Sequence, residues 1–246
     1  MDNTTYIALS RMDTQMRAMS VLANNLSNAD TAGYKASHVL FSDYLVKQKD
    51  GHAADGTATE AYTQDRSTYR DFGQGTLQQT GNPLDIAITG EGFFSVMTAQ
   101  GVRLTRNGRF QRLADGRITD GAGNVLLDRT GQPVQLRPQD RTISLAADGT
   151  LSTESGVAAE VGLVTVDNAY TLVGEGNQIF RATTQTRQLN NKELRQGMLE
   201  GSNVNSMTET TQLVQLQRDF EITSNLVESE ETREKNAIDK IIQTQS

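Results

Sequence analysis

Histidine and cysteine, two side chains that often perform catalysis, are scarce or missing in this chain, and the sequence contains no arrangement of residues typical of a catalytic site. The chain has no cysteine and only two histidines, His38 and His52, and neither histidine has a second metal-ligating partner at zinc-site spacing. The segment Gly90-Glu91-Gly92 lacks the third glycine of a dinucleotide-binding turn and leads into a strand pattern, not into a helix. We therefore expect no catalytic residues, no metal and no cofactor, and we expect that the protein is not an enzyme.

The densest basic group is Arg103, Arg106, Arg109 and Arg112. The dipeptide Asn107-Gly108 predicts a hairpin turn, which would bring several of these side chains together across two strands. One interpretation is a solvated strand face that acidic neighbours balance. The other is a charged contact with another subunit, for example with the acidic residues 228–234 near the C-terminus.

Composition limits the classes of function. At 246 residues the chain is long enough for one or two domains, but only 36% of it is hydrophobic and it has no tryptophan, so we expect a core in only part of it. The net charge of −7 argues against binding to nucleic acid. No apolar run approaches the roughly 20 residues of a membrane span, and the N-terminus lacks the pattern of a cleaved signal peptide.

Two stretches, one near each end, carry apolar side chains at alternating spacings of three and four residues, which predicts α-helices with a narrow apolar stripe. The first helix should span residues 4 to about 28, and the second residues 206 to about 242. A narrow stripe needs a partner helix, so we expect the two ends to pair with each other or with neighbouring subunits. The expected assembly residues are Leu9, Met12, Met16, Met19, Ala23 and Leu26 in the first helix, and Leu213, Leu216, Phe220 and Val227 in the second.

Polar residues at the helix ends also suggest roles. Asn25 lies next to the apolar stripe, where one polar group can fix the register between helices, although simple solvent exposure fits the pattern equally well. Ser206 and Glu209 have the spacing of a capping box, in which the serine hydroxyl bonds the amide of Glu209 and the carboxylate bonds back to the amide of Ser206.

The middle of the chain has two parts. Residues 36–75 contain few large apolar side chains and are interpreted as an extended arm or linker, which neighbouring subunits would order. Residues 76–190 contain short alternating segments separated by Asn-Gly and Asp-Gly dipeptides, which predicts an antiparallel β-sandwich or open barrel. We therefore expect an α+β fold of several domains: an N-terminal helix (1–35), the arm (36–75), the all-β domain (76–190), a return linker (191–205) and a C-terminal helix (206–246), the helices pairing as a coiled-coil-like domain.

Four segments in order resemble bacterial flagellar rod and hook proteins. The N-terminal signature is ANNLSN at 23–28 followed by TAGYK at 31–35, and the β-domain opening is GNPLDIA at 81–87 with GEGFF at 90–94. The next segment is LTRNGRF at 104–110, and the C-terminal signature is LEGSNVN at 199–205 with QRDFE at 217–221. Ala32 stands where the family commonly has Pro or Thr.

The resemblance is nearer to proximal rod proteins than to distal rod or hook-type proteins, which remain the alternative. It implies a non-enzymatic axial subunit, exported unfolded through the flagellar type III apparatus without a cleaved signal peptide. Its partners would be copies of itself and other rod proteins, in a helical rod that crosses the periplasm, and its ligands would include neither nucleic acid nor a small-molecule substrate. It would not be embedded in the membrane. It also adds Asn203, Val204 and Asn205 of the C-terminal signature to the expected assembly residues. A different class, a secreted binding module with a coiled-coil stalk, also fits the helices.

Overall fold

The structure, a computed structural model, describes residues 3–48, 58–190 and 193–244. The chain divides into two compact units. The helical unit comprises Met1–Ser27, Ser37–Tyr69 and Asn205–Ser246, and the β-unit comprises Asn28–Ala36 and Arg70–Val204. The class α+β and the antiparallel central region are confirmed. The boundary expected at residue 35 lies instead at residue 27, because residues 33–36 form their hydrogen bonds within the β-unit.

The helical unit contains two long helices and two strands: α1 (Asn3–Ser27), β1 (Ser37–Gln48), β2 (Ala58–Arg70) and α2 (Ser206–Thr244). Both helices have nearly the bounds that the apolar spacing predicts. They contact each other along α1. They run antiparallel, because Asn25 of α1 bonds Glu209 of α2, whereas Ala8 of α1 lies beside Thr223 of α2.

The segment interpreted as an extended arm contains β1 and β2, which pair as a two-stranded sheet. A two-stranded sheet alone is marginally stable in water. His38, at the start of β1, packs its ring on Tyr69 with a centroid distance of 5.4 Å. His52 lies outside the described residues. The ordering of this segment by neighbouring subunits stays a prediction.

The β-unit consists of short strands joined by tight turns. In chain order they are β3 (Leu77–Gln79), β4 (Ile86–Ile88), β5 (Phe93–Thr98), β6 (Gly101–Thr105), β7 (Phe110–Arg112), β8 (Ile118–Asp120), β9 (Val125–Leu126), β10 (Ile143–Leu145), β11 (Thr150–Thr153), β12 (Gly156–Glu160), β13 (Leu163–Val166), β14 (Leu172–Gly174), β15 (Ile179–Ala182), β16 (Thr186–Gln188), β17 (Leu194–Gln196) and β18 (Met198–Glu200). A 3-10 turn at Ala169–Thr171 precedes β14.

Strand β5 is at the centre of the largest sheet, whose order is β14-β15-β6-β5-β9-β8-β7, with β13 pairing both β5 and β16. A separate sheet has the order β10-β11-β12, and two further pairs join distant parts of the chain, β17 with β4 and β18 with β3. All the registers in the β-unit are antiparallel.

Both faces of β5 are buried over its first four residues, 93–96, which explains its consecutive phenylalanines. Phe94 belongs to one hydrophobic core and meets Phe110 edge-on at a centroid distance of 5.2 Å. Phe93 points to a second core, where it lies edge-on to Phe72 at 5.5 Å and to Phe180 at 6.1 Å. Large buried side chains of this kind each contribute about 1.5–3 kcal/mol when they leave water.

One predicted turn is wrong. The strand after Asn107-Gly108, β7, pairs with β8 and not with β6, because β6 already lies between β5 and β15 and has no free edge. The arginine group predicted at that hairpin is therefore divided. Arg106 is buried, and Arg103 pairs with Glu175 at 2.5 Å.

Candidate functional site

In the described ranges, no group of three or more His, Cys, Asp or Glu side chains could hold a metal ion. Residues of the sequence signatures lie together in two other places in the molecule. One is a buried ionic cluster in the β-unit, and the other is the contact between α1 and α2 in the helical unit.

The ionic cluster consists of Lys35, Arg106 and Glu200, one residue from each of three sequence signatures. Glu200 Oε1 accepts a hydrogen bond from Lys35 Nζ at 2.7 Å, and Glu200 Oε2 accepts one from Arg106 Nη1 at 3.2 Å. The three side chains are only 0%, 3% and 1% exposed. The carboxylate therefore ties the start of the β-unit to its end and to the segment after β6.

Neighbouring backbone groups complete most of the hydrogen bonds of this cluster. Lys35 Nζ also donates to the carbonyl of Gly73 at 2.8 Å, and the amide of Gly75 donates to Glu200 Oε1 at 3.0 Å. Arg106 Nη2 donates to the carbonyl of Gly90 at 2.7 Å. Arg106 Nε has no hydrogen-bond partner among the described residues. Because bare charges are costly to bury, this arrangement forms only when all three segments are in place.

Burial lowers the pKa of Lys35, because removal from water penalises its charged form; attraction to Glu200 opposes this effect, and repulsion from Arg106 adds to it. The pKa of Arg106 is lowered for the same main reason, again against the attraction of Glu200. Glu200 thus holds two cations that the surroundings alone would disfavour.

Glycines let the backbone segments of the signatures approach each other around the cluster. A Cβ atom on Gly108 would lie 1.7 Å from the carbonyl oxygen of Ile86, so only glycine fits there. Gly33 has a φ of 72°, and a Cβ on it would lie 2.5 Å from the amide nitrogen of Asn107. The amide of Gly33 donates to the carbonyl of Glu200 at 2.8 Å.

The expected assembly residues 203–205 lie where the β-unit ends and α2 begins. Asn203 Oδ1 accepts from the amide of Ala36 at 2.8 Å, and its Nδ2 donates to the carbonyl of Asp71 at 2.9 Å. The amide of Val204 donates to Ser202 Oγ at 3.2 Å. Asn203 therefore holds segments of its own β-unit together.

Asn205, and not Ser206, caps α2. Its Oδ1 accepts from the amides of Met207 and Thr208, both at 3.1 Å. The predicted capping box is therefore wrong. The reason is that the carboxylate of Glu209 bonds Asn25, and Asn205, one residue earlier, occupies the N-cap position.

Asn25 is fully buried in the helical unit, so the interpretation of simple solvent exposure is wrong. Its Nδ2 donates to the carbonyl of Ser37 at 2.8 Å and to Glu209 Oε2 at 3.1 Å, and its Oδ1 accepts from the amide of Ser37 at 2.9 Å. One side chain thereby joins α1, the start of β1 and α2. A buried polar residue bonded in this way fixes which residues of the two helices lie side by side.

The face of α1 that packs in the helical unit lies one residue before the predicted apolar stripe. Its buried positions include Ala8, Gln15, Ala18 and Asn25. In the predicted stripe, Leu9 is 49% and Met16 is 58% exposed, Ala23 is also exposed, and Met12, Met19 and Leu26 are half-buried. Small and amide side chains thus face α2, and much of the apolar stripe remains accessible.

On α2 the predicted stripe does coincide with the less exposed positions. Leu213, Leu216, Phe220 and Val227 are half-buried, and Thr223 is buried between them. Beyond Val227 the antiparallel α1 ends, so the last turns of α2 have no part of α1 to face.

Sequence reasoning missed the roles of Lys35, Arg106, Glu200 and Glu209. Each of the first three is a charged residue of a signature motif and lies next to a glycine or is separated from one by a single residue, and that combination was the available signal. Glu209 was assigned to a cap because the spacing of neighbouring residues indicates only bonds within the helix end, whereas its observed bond is to the distant Asn25.

Three protein families match separate parts of the chain. The family described as "Flagella basal body rod protein" matches residues 6–35, "Flagellar hook protein FlgE/F/G D1 domain" matches residues 87–153, and "Flagellar basal body rod FlgEFG protein C-terminal" matches residues 195–239. The first and third matches contain Lys35 and Glu200, and the second contains Arg106.

Individual relatives match nearly end to end. The flagellar basal-body rod protein FlgF of Caulobacter vibrioides is 32% identical over 243 residues, which cover 98% of each chain. FlgF of Mesorhizobium japonicum is 33% identical over 92% of each chain, and the flagellar basal-body rod protein FlgG of Bacillus subtilis is 29% identical over 90% of this chain and 92% of its own. At this identity and coverage, the chain belongs to the flagellar basal-body rod protein family.

Proposed function

We propose that this chain is a structural subunit of the proximal flagellar rod and that it assembles through α1 and α2. The observation that carries the proposal is the apolar stripe of α1, which the chain's own α2 leaves largely uncovered. Each stripe side chain that a neighbouring subunit covers would contribute about 1.5–3 kcal/mol to association. The assignment to the proximal rod is supported by the FlgF relatives, which are 30–33% identical over 92–99% of the chain, against 28–30% over 90% for the FlgG relatives; a distal rod subunit is the alternative.

In this proposal, α1 and α2 pair in the manner of a coiled coil, and the last turns of α2 extend to other subunits. Asn25 and Glu209 set the register of the pair. The residues Asn203, Val204 and Asn205 act indirectly, because they position the start of α2 for assembly. The ionic cluster holds Lys35 and Glu200, near the outer ends of the β-unit, together while the helices engage their neighbours.

The partners in this proposal are copies of the chain and other rod proteins, in a helical assembly across the periplasm. The chain would reach that place through the flagellar type III export apparatus. Neither described helix is both long and apolar enough to cross a membrane. The negative net charge of −7 supports a role without nucleic acid, and the role proposed is structural and not enzymatic.

Replacing both Leu9 and Met16 with Asp tests the proposal. Both side chains are about half exposed, so the isolated chain should keep its fold, but assembly would bury two carboxylates. We expect loss of swimming and of rods that contain the chain, measured by motility in soft agar and by immunoblotting of purified basal bodies. The melting temperature of the isolated protein should not change.

Gln217→Asp is the matched control, because Gln217 is an exposed residue of the same unit outside the stripe. It should swim normally. Normal swimming by the Leu9→Asp/Met16→Asp variant, at normal expression, would contradict the proposed route of assembly.

A further inference from the structure

A furrow runs along one flank of the contact between α1 and α2. It contains a cavity of about 310 Å³ that Ala18, Val21 and Leu216 help to line, and a second of about 290 Å³ with Ile7, Ile222 and Leu226 in its wall. Asp219 belongs to both cavities. The two cavities therefore adjoin at Asp219, their α1 lining is largely apolar, and both are open in the isolated chain.

Helical geometry puts the furrow and the apolar stripe on opposite flanks of α1. Successive residues are rotated by about 100° around a helix. The buried face contains Ala8, Gln15 and Ala18. One residue later along the chain lie the stripe positions Leu9 and Met16, and on the other flank lie the furrow positions Ile7 and Val21. One copy can thus use both surfaces at once, with a different neighbour on each.

The two surfaces have compatible lengths. On α1, residues 7–11 help to line one cavity and residues 18–22 the other, so the cavity centres lie about eleven residues or about 17 Å apart. The stripe from Leu9 to Leu26 is about 26 Å long, so one helix can reach both cavities. The methionines between Leu9 and Met19 are flexible enough to fill irregular gaps.

The charges of the two surfaces are also complementary. The furrow contains one positively and one negatively charged side chain, Arg11 and Asp219. The outer edge of the stripe carries Asp13 and Arg17, which are 3.1 Å apart and more than half exposed. Asp13 of one copy can therefore face Arg11 of another, and Arg17 can face Asp219.

We propose that the α1 stripe, Leu9 to Leu26, packs into the furrow of a second copy of this chain. The inference rests on the proposed function, because it names one contact within the same assembly. The contact joins two different surfaces, so it does not close on itself in a pair. Contacts of this type continue into an open helical array when their rotation does not close a ring.

Disulfide trapping tests this contact directly, since the chain has no cysteine of its own and every crosslink comes from introduced residues. A Leu9→Cys chain would be mixed with an Ile222→Cys chain or with a Gln215→Cys chain and oxidised. Ile222 is 67% exposed at the second cavity, and Gln215 is an exposed residue at the first. Each chain has one cysteine, so bonds within a chain cannot form.

We expect a mixed dimer on a non-reducing gel with one of the two furrow chains, formed about tenfold faster or more than with the control chain, because docking raises the effective concentration of the two thiols. The control is Gln217→Cys, exposed on the opposite flank of α2. The furrow position that reacts also gives the direction of the docked α1.

Equal rates with the control and the furrow chains, or no mixed dimer with either furrow chain, would overturn the inference. So would Leu9→Cys crosslinking to itself faster than to the furrow, which would indicate a symmetric contact between two stripes. If Leu9→Asp/Met16→Asp still abolishes swimming in such a case, the proposed function stands and only this contact is wrong.

Discussion

Replacing Glu200 with Gln should destabilise the β-unit strongly while it changes the shape of the side chain very little. Glu200 is the carboxylate between Lys35 and Arg106, and the two cations are 0% and 3% exposed. Gln can still accept a hydrogen bond, but it removes the negative charge that both cations face. Removing one partner from a buried ion pair costs about 3–5 kcal/mol, because an uncompensated charge stays behind.

For a unit of this size, such a loss should lower the melting temperature of the β-unit by about 10 °C. Differential scanning calorimetry of the full chain measures this melting temperature. A separate transition of the helical unit can be told apart by its unfolding enthalpy. The matched control is Glu160→Gln. Glu160 pairs with Arg129 at 3.3 Å, but the two side chains are 40% and 48% exposed, so that change should cost less than about 1 kcal/mol.

A Glu200→Gln variant as stable as Glu160→Gln would refute the reasoning. It would mean that the two cations find compensation elsewhere, or that water reaches them. A double-mutant cycle with Lys35→Met provides a second check. The Lys35→Met/Glu200→Gln chain should lose less stability than the two single changes added together, because the second change removes one of the stranded charges.

Two further predictions concern the same region of the β-unit. Since burial lowers the pKa of Lys35 from its ordinary 10.5, the unfolded chain binds more protons than the folded one between the folded pKa and 10.5, and the contribution of Lys35 to stability rises with pH in that interval. The free energy of unfolding of the unmodified chain, measured relative to that of Lys35→Met, should therefore be greater at about pH 10 than at about pH 7; an unchanged or opposite difference would contradict this. Gly108→Ala should cost about 3 kcal/mol, because its Cβ would meet the carbonyl oxygen of Ile86 at 1.7 Å. Gly121→Ala, with no heavy atom within 4 Å of its Cβ, should be nearly neutral. Urea titration of both variants measures the free energy of unfolding, and equal losses would show that the close approach at Gly108 does not determine the cost.

Local patterns predicted the two helices and the strand-rich central region, but not β1 and β2 in the expected arm or β17 and β18 in the expected return linker. The spacing of apolar residues predicts both helices to within two residues at each end, because an amphipathic helix repeats over many turns. The region predicted to be all-β, 76–190, does contain short antiparallel strands, and two of its Asp-Gly dipeptides, Asp115-Gly116 and Asp148-Gly149, form turns with positive φ at both glycines. The hairpin at Asn107-Gly108 failed because strand order depends on contacts that no dipeptide encodes.

The stripe on α1 shows a subtler limit. Hydrophobicity marks where a helix has apolar side chains, but the face that α2 contacts in this chain contains Ala8, Gln15 and Asn25, which are small or polar. Such side chains allow close approach and specific hydrogen bonds, and they give little signal in an apolar pattern. The same applies to Lys35, Arg106 and Glu200. They are separated by tens of residues, and a single sequence does not show that their charges meet inside the protein.

The bond between the amide of Gly33 and the carbonyl of Glu200, 2.8 Å long, has a consequence for how this architecture can change over time. The bond joins the first segment of the β-unit, 28–36, to a residue near the end of its second segment, 70–204, so the two outer ends of the unit are held side by side. Residues could therefore be inserted into or deleted from loops of the β-unit distant from this bond with little effect on the geometry around it. Differences in the size of the β-unit between members of the family should accordingly accumulate in those loops, while the two helices keep their lengths.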